Sequence, residues 1–390
     1  VVVGRQSTVA ARMALNNACG VVDGGTPAVD ASATVPTTTT LNVGHNLAAA
    51  GAQNPISFIR TWDTPLTDAE LKAIAANGYR DETINTLGWV DSPQISHDGR
   101  RLYFMYSRYD FAPLLIDGAS LTDLSAVGGE RSWHVAIPHP SYDADVYCAY
   151  LRHDGTIERI ENLRFDPNYD DFSLQTASAE SSIMEVAATA SLPKRIYYNA
   201  NRSGDVPKLV YRQENASGSW TTESTSELAT VSSGGSGAGY IDDNAFVTDD
   251  RLALTFASTR TGGQGSYDLW LSTRAGPTDV WGAPSNLGTD INTTGHEDQI
   301  FLHPNGTDVW FTRDGGIYHC TRAGTVPNND DTLVTFTGTS LVGGIGEPST
   351  DEAMTRLYFS YLDLATRRIK IMYAPWDTSV TAWGTPVAID

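Results

Sequence analysis

Short segments of alternating apolar and polar residues recur through most of the chain. The clearest lies between Asp243 and Arg274, where Leu252, Leu254 and Phe256 alternate with other residues, a glycine-containing turn follows, and a second apolar run begins at Leu269. A period of two is typical of a half-buried β-strand, and a glycine-rich turn between two such runs is typical of a hairpin. The segment therefore predicts a strand, a turn and a second strand.

This pattern repeats at intervals of about 50 residues. Five windows align without a gap, and a sixth aligns with about two extra residues, when each is anchored near the end of its second strand; the anchors are Phe104, Cys148 (the sixth window), Tyr198, Phe256, Phe311 and Phe359. A unit of this length with several short strands cannot bury both of its faces alone, so we expect blades stacked around an axis. The sequence predicts an all-β fold, a six-bladed β-propeller, with five or seven blades as the alternatives.

Several motifs of the repeat resemble those of TolB-type propellers, a family of exported bacterial and archaeal proteins. The resemblance lies in DSPQISHDGRRLYFMYSR from Asp91 to Arg108, in Asp268-Leu-Trp, and in Trp281-Gly-Ala-Pro and Trp383-Gly-Thr-Pro. It extends over roughly residues 89–390 and implies the propeller fold. It does not imply one function, because propellers of this type include carriers, enzymes and scaffolds.

The part of the chain before the repeats has a different composition. Residues 1–40 predict an extended N-terminal arm or linker, and residues 41–88 predict a strand and one short helix, at 66–78, that flank the propeller of residues 89–390. The arm packs on its own propeller or adds a strand to the sheet edge of a neighbouring copy. Its apolar residues for such a contact are Val1, Val2, Val3, Val9, Met13 and Leu15.

Charge and cysteine content exclude several classes of protein. The net charge is −20, which disfavours a nucleic-acid partner, and no apolar run is long enough to span a membrane. The three cysteines form no CxxC motif, so zinc-ribbon and thioredoxin-like functions have no support. Scarce lysine together with abundant Gly, Ser and Thr indicates an exported protein that is extracellular, on the cell surface or periplasmic.

Acidic residues occupy one column of the aligned windows. Thirteen residues before the anchors stand Asp91, Glu185, Asp243 and Asp298, and the last window has Gly346 with Glu347 beside it. The first strand of a blade lines the central channel, so we expect these side chains to form a ring of carboxylates. Like charges on a ring require a cation such as calcium, raised pKa values, or arginine partners, for which the repeat offers Arg108, Arg202 and Arg260. The favoured alternative is that each acid caps a turn within its own blade or pairs with the arginine of its repeat. Beyond calcium, the sequence predicts no cofactor.

Two functions remain open. The first is a non-catalytic exported binding or scaffold protein that assembles through its arm into a filament or other oligomer, with other copies of itself or an extracellular protein or glycan as partner; it assigns no catalytic residue. The alternative is a glycan-active enzyme, a glycoside hydrolase or polysaccharide lyase, acting at the channel mouth. Its chemistry would come from a carboxylate pair or from a histidine with a tyrosine, chosen among Glu297, Asp298, Glu347, Asp242, Asp243, His296, His303 and His319. The lack of a recognised catalytic motif favours the first function.

Overall fold

A computed structural model describes residues 9–14, 17–22 and 28–30, and residues 84–389 except 86–87, 108, 121–122, 126–142, 164–177, 203–207, 217–219, 233–239 and 339–340. The chain divides into two compact units, Val1–Asp81 and Glu82–Asp390. Among the arm residues predicted to make contacts, Val1, Val2, Val3 and Leu15 lie outside the described residues, as does the helix predicted at 66–78.

The described part of the first unit is a small antiparallel sheet. Its strands are β1 (Val9–Ala14), β2 (Asn17–Val22) and β3 (Ala28–Asp30), in the order β1-β2-β3. Val9 and Met13, two of the apolar arm residues named above, lie on β1. Part of residues 1–40, predicted as an extended arm or linker, forms β2 and β3, whose backbones pair in an antiparallel register.

The second unit is a β-propeller with five blades. Blade 1 contains β4 (Trp89–Ile95), β5 (Arg101–Ser107), β6 (Asp143–Leu151) and β7 (Ile157–Asn162); blade 2 contains β8 (Ser178–Val186), β9 (Arg195–Arg202) and β10 (Lys208–Gln213). Blade 3 contains β11 (Asp242–Val247), β12 (Ala253–Ser258), β13 (Asp268–Thr273) and β14 (Ser285–Asn286). Blade 4 contains β15 (Glu297–Leu302), β16 (Asp308–Arg313), β17 (Gly316–Ala323), β18 (Val326–Pro327) and β19 (Thr332–Leu333). Blade 5 contains β20 (Ile345–Thr350), β21 (Arg356–Asp363), β22 (Arg368–Asp377), β23 (Ala382–Trp383) and β24 (Val387–Ala388).

The first strands of the five blades contact one another in a closed circle around the axis, from β4 through β8, β11, β15 and β20 back to β4. The predicted propeller is therefore confirmed, with five blades rather than six. The window anchored on Cys148 is not a blade, because it is β6, the third strand of blade 1: Cys148 pairs with Tyr103 of β5 and with Glu161 of β7. A long connection separates β5 from β6. Because of this separation, the sequence pattern of β6 resembles that of a new blade.

That connection also contains the one helix found in the described part of the chain, α1 (Ala112–Asp117). Pro113 lies in its first turn and Gly118 ends it in the left-handed conformation, which are the usual start and stop signals of a helix. The sequence pattern predicts a helix only at 66–78 and not at this position. No helix within the described residues is long and apolar enough to cross a membrane.

The anchor residues form the centre of the core. Phe104, Tyr198, Phe256, Phe311 and Phe359 are completely buried, each on the second strand of its blade. These strands pack against the neighbouring blade on each side, so both of their faces are apolar; all six residues of β12, for example, are buried. Burial of one such aromatic side chain contributes roughly 1.5–3 kcal/mol to folding.

Contacts between blade 5 and blade 1 close the circle. Ser349 of β20 is completely buried, and its hydroxyl donates to the carbonyl of Pro93 (2.9 Å) and accepts from the backbone N–H of Ile95 (3.2 Å). Asn85, just before β4, donates to the carbonyls of Ile371 and Ile389 and accepts from the N–H of Ile371. The beginning of the propeller is thus hydrogen-bonded to its last blade.

Candidate active site at the channel mouth

Each inner strand carries one residue in the left-handed backbone region at the same level of the channel. These residues are Ser92, Ser182, Asn244, Gln299 and Glu347, with φ between 37° and 60°. The pairing register of each inner strand shifts at this point, as in a β-bulge. The left-handed conformation costs an L-residue about 1–2 kcal/mol. Five strained backbone positions therefore lie at one level of the channel. Strained backbone of this kind is often found at functional sites.

Three of the four acids in the predicted ring lie directly before these bulge residues. Asp91, Asp243 and Asp298 are half-buried and occupy equivalent positions of β4, β11 and β15. In blade 5 the equivalent position is Gly346, and Glu347 supplies a half-buried carboxyl from the bulge position itself. The structure thus places four carboxyls at one mouth of the channel.

Glu185 does not belong to this ring. Asp91, Asp243 and Asp298 pair with residues 14 positions later, whereas in blade 2 it is Ser181 that pairs at this level, with Asn199, 18 positions later. The hairpin between β8 and β9 is longer, so a gap-free alignment selects a residue further along the strand. Glu185 is buried, and it accepts hydrogen bonds from Arg101 (2.9 Å) and from the hydroxyl of Tyr103.

Asp243 and Asp298 form the first carboxyl pair of the site. Burial, and then the nearby charge of Asp298, raises the pKa of Asp243 to about 7. Asp298 accepts hydrogen bonds from the side-chain amide of Asn244 (2.6 Å) and from the backbone N–H of Gln299 (2.8 Å). Near neutral pH, therefore, Asp243 still holds a proton for part of the time, beside a second acid that two donors fix in place.

Glu347 and Asp91 form the second pair. Burial, and then the charge of Asp91, raises the pKa of Glu347 well above its usual range. The hydroxyl of Ser360 lies within hydrogen-bond distance of both carboxyls, 2.7 Å from Asp91. A hydroxyl has one proton to donate, so a proton on Glu347 satisfies the second contact. The Gln299 amide donates to Glu347 (2.5 Å) and to the Asn244 oxygen (3.2 Å), which links the two pairs.

Tyr267 and His296 stand at the rim beside the first pair. Their rings lie 4.8 Å apart, and the Nε2 atom of His296 is 3.6 Å from an Asp298 oxygen. The contact with Asp298 raises the pKa of His296, and burial together with Asp243 and Asp298 raises the pKa of Tyr267. Sequence analysis named His296 as a candidate but missed Tyr267. Nothing in the sequence marks Tyr267 as a site residue except its position directly before β13.

The other candidates lie in structural contacts. Asp242 binds Ser258 (2.7 Å) and Arg260 (2.5 Å), and Glu297 binds Thr293 (2.6 Å) and approaches Arg313. His303 is fully buried and bonds the carbonyl of Asp351, while His319 bonds Asp308 on the middle of blade 4. These side chains do not face the channel acids.

Arg260 does not neutralise the ring in the way that the arginine alternative predicted. Arg260 pairs with Asp242, the neighbour of the ring acid, because successive side chains of a strand point to opposite sides. Arg108 lies outside the described residues, and the Arg202 side chain is not described. Within the described residues no three His, Cys, Asp or Glu side chains are arranged to hold a metal ion, so calcium stays a prediction.

A small cavity with an accessible volume of about 30 Å³, partly open to solvent, lies in the channel next to these acids. Polar residues of the bulges form one side, and apolar residues further along the inner strands form the other; the lining includes Ser92, Ser182, Asn244, Gln299, Glu347, Ile183, Phe246 and Phe301. The polar side offers donors and acceptors for hydroxyl groups.

No protein-family model and no curated protein matches the sequence. Among solved structures, the chain is similar to an α-L-arabinofuranosidase from Lactobacillus brevis (TM-score 0.46, 13% identity, covering 79% of this chain and 98% of that one). It is also similar to an α-L-arabinanase from Penicillium chrysogenum (0.41, 10%, 77% and 84%) and an α-L-arabinofuranosidase of Fusarium graminearum (0.43, 12%, 77% and 82%). At these identities the likeness concerns the fold.

The prediction of a non-catalytic, self-assembling scaffold is contradicted by this comparison, since all three similar structures are named as enzymes. The alternative of a glycan-active enzyme agrees better with it. The resemblance to TolB-type repeats stays a prediction.

Proposed function

We propose that the protein is a glycoside hydrolase that acts at the channel mouth, with Asp243 and Asp298 as its two carboxyls. The observation that carries this proposal is the raised pKa of Asp243, about 7, beside a second carboxyl on the neighbouring inner strand. Glycoside hydrolysis needs one carboxylic acid that is protonated at the working pH and one carboxylate nearby. The two environments described above supply this difference.

Asp243 is the proposed general acid. As the glycosidic C–O bond breaks, its electron pair goes to the leaving oxygen, which takes the proton of Asp243. Positive charge then develops at the anomeric carbon, and Asp298 stabilises it as a carboxylate. Water adds to that carbon, either directly or after an ester with Asp298 has formed, and its proton returns to a carboxylate of the pair. The bonds from Asn244 and Gln299 fix Asp298 in place.

Tyr267 and His296 give the rim an aromatic surface against which a sugar ring can pack. The phenol of Tyr267 stays neutral because its pKa is raised, so it remains a hydrogen-bond donor. The mouth collects four carboxyls, and the whole chain carries a net charge of −20. This field repels anions, so the proposed substrate is a neutral glycan. A lyase acting on uronates is less well supported, because it would have to hold an anionic sugar here.

The test is a set of neutral aryl glycosides, both pyranosides and furanosides, offered to the wild type and to Asp243→Asn and Asp298→Asn. We expect kcat/KM to fall at least about 100-fold in both variants. With a dinitrophenyl leaving group, which needs no acid, Asp243→Asn should recover most of its activity. Wild-type kcat/KM should fall as the pH rises through about 7, because the acid then loses its proton.

The matched control is Asp290→Asn, an exposed acid elsewhere in blade 3, which should retain wild-type activity. Failure of the wild type to hydrolyse any glycoside of the set would contradict the proposal, as would full activity in both ring variants.

A further inference from the structure

A second cluster of charged side chains is buried between blades 2 and 3, separate from the channel acids. It contains Arg195 at the start of β9, Arg251 in the turn between β11 and β12, Arg274 after β13, and Glu227. All four are at least nine-tenths buried, and Arg251 is completely buried. Among the described residues, three guanidinium groups thus share one carboxylate, and two positive charges of the cluster have no described counter-charge.

Glu227 has no capacity left for Arg251. One of its oxygens accepts from Arg195 (2.8 Å) and from the hydroxyl of Tyr197 (2.6 Å), and the other accepts from Arg195 (2.8 Å) and forms an ion pair with Arg274 (3.0 Å). A carboxylate has room for about four such contacts, and Glu227 already has four. The hydroxyl of Tyr197 cannot replace a counter-charge, because burial and Glu227 raise its pKa and keep it neutral.

Several N–H groups of the cluster have no hydrogen-bond partner within the part of the chain that the structure describes. Arg251 uses its Nη2 atom for the carbonyls of Ala187 and Pro193, but its Nε and Nη1 atoms are buried without a hydrogen bond. The Nη2 atom of Arg274 and the indole nitrogen of Trp281 are also buried and unpartnered, and the Arg274 guanidinium lies 3.8 Å from the Trp281 ring. Unpaired donors and unbalanced charge in one buried region are each costly, and one anion would resolve both.

We propose that a small monovalent anion of the halide class binds in this cluster between Arg251 and Arg274. The complete burial of Arg251 leaves no opening for a phosphate ester or a carboxylate ligand, so the occupant is an ion small enough to be enclosed as the protein folds. The lowered pKa of Arg251, caused by burial and by Arg195 and Arg274, agrees with a guanidinium that lacks a counter-ion in its surroundings. The bound ion would join blade 2 to blade 3 and would be structural.

The test compares protein refolded from denaturant in sodium chloride or in sodium gluconate at equal ionic strength. We expect the midpoint of thermal unfolding to rise with chloride concentration to a plateau, by about 3 °C or more, because the ion binds only the folded state. Arg251→Met should abolish the difference between the two salts. Arg251→Lys, which keeps the charge but loses the planar donors, should need a higher chloride concentration.

Arg322→Met is the matched control, since Arg322 also donates to backbone carbonyls, of Gly324 and His303, but lies in blade 4. It should keep the full chloride response. Crystals grown in bromide should show an anomalous peak beside Arg251, and this readout does not depend on any variant. The proposal is overturned if chloride and gluconate give the same unfolding midpoint, if Arg251→Met retains the response, or if no bromide peak is present.

Discussion

Two neighbouring aspartates show how one strand gives the same chemical group two roles. Asp242 points into blade 3, where Ser258 and Arg260 bind it, while Asp243 points into the channel toward Asp298. The sequence reads Asp-Asp at this place and does not distinguish them, but strand alternation requires that they face opposite ways. The proposed acid is thus the one that the fold leaves without an arginine.

The raised pKa of Asp243 predicts a specific effect on stability. In the unfolded chain this acid has its ordinary pKa of 3.8, and in the folded protein about 7. Between these values the folded state keeps a proton that the unfolded state has lost, so Asp243 lowers the stability progressively as the pH rises through this window. Asp243→Asn should therefore be more stable than the wild type at pH 8, by on the order of 2–4 kcal/mol, and equally stable near pH 3.5.

Urea unfolding of both proteins at pH 3.5, 6 and 8 measures this difference. Asp290→Asn should follow the wild type at each pH. An Asp243→Asn variant that is less stable than the wild type at pH 8 would show that the carboxylate is compensated in the folded protein.

At the scale of elements, the alignment of aromatic anchors identified the second strand of all five blades correctly. The alignment also predicted the positions of three channel acids correctly. It did so because the hairpins that join the first and second strands of blades 1, 3 and 4 have equal length. It failed for Glu185 because the blade 2 hairpin is longer, and for Cys148 because pairing across the long connection between β5 and β6 leaves no local signal. The bulges were not predicted, since Ser, Asn, Gln and Glu at those positions do not by themselves indicate a positive φ.

The bulge in β11 makes a prediction about Asn244. Its φ is 52°, and its side chain donates to Asp298. Asn244→Gly keeps a residue that tolerates this backbone but removes the hydrogen bond, whereas Asn244→Val also places a β-branched side chain in a disfavoured conformation. We expect both variants to hydrolyse glycosides at least about 10-fold more slowly and the valine variant to be less stable than the glycine variant by about 1–2 kcal/mol.

Thermal unfolding and kcat/KM of the two variants separate the contribution of the backbone from that of the side chain. Equal stability of the two would mean that the strand adopts an ordinary conformation at this position, and unchanged activity would mean that Asn244 does not hold Asp298.

At the scale of the whole molecule, five blades close only if blade 5 packs against blade 1. Ser349 makes two hydrogen bonds across this junction, to Pro93 and Ile95, and is completely buried. Ser349→Ala leaves both backbone groups without a partner, which should lower the free energy of unfolding by about 1–3 kcal/mol. Chemical denaturation measures this, with Ser379→Ala as control, because Ser379 is exposed and bonds only to the nearby Asp377.

A loss much smaller than this in Ser349→Ala would mean that water replaces the hydroxyl and that the junction is looser than its geometry indicates. A similar loss in Ser379→Ala would mean that the effect is not specific to closure of the circle.

The small number of blades has a consequence for how the channel acids titrate. Asp91 influences the pKa of Glu347 in the adjacent blade 5 and also that of Asp243 in blade 3, which is not its neighbour in the circle. In a circle of five, a carboxyl on one inner strand is close to those beyond its immediate neighbours. The protons of Asp243 and Glu347 are therefore lost in coupled steps rather than independently. A ligand that enters the channel therefore meets two acids, Asp243 and Glu347, whose proton affinities both depend on the charge of Asp91.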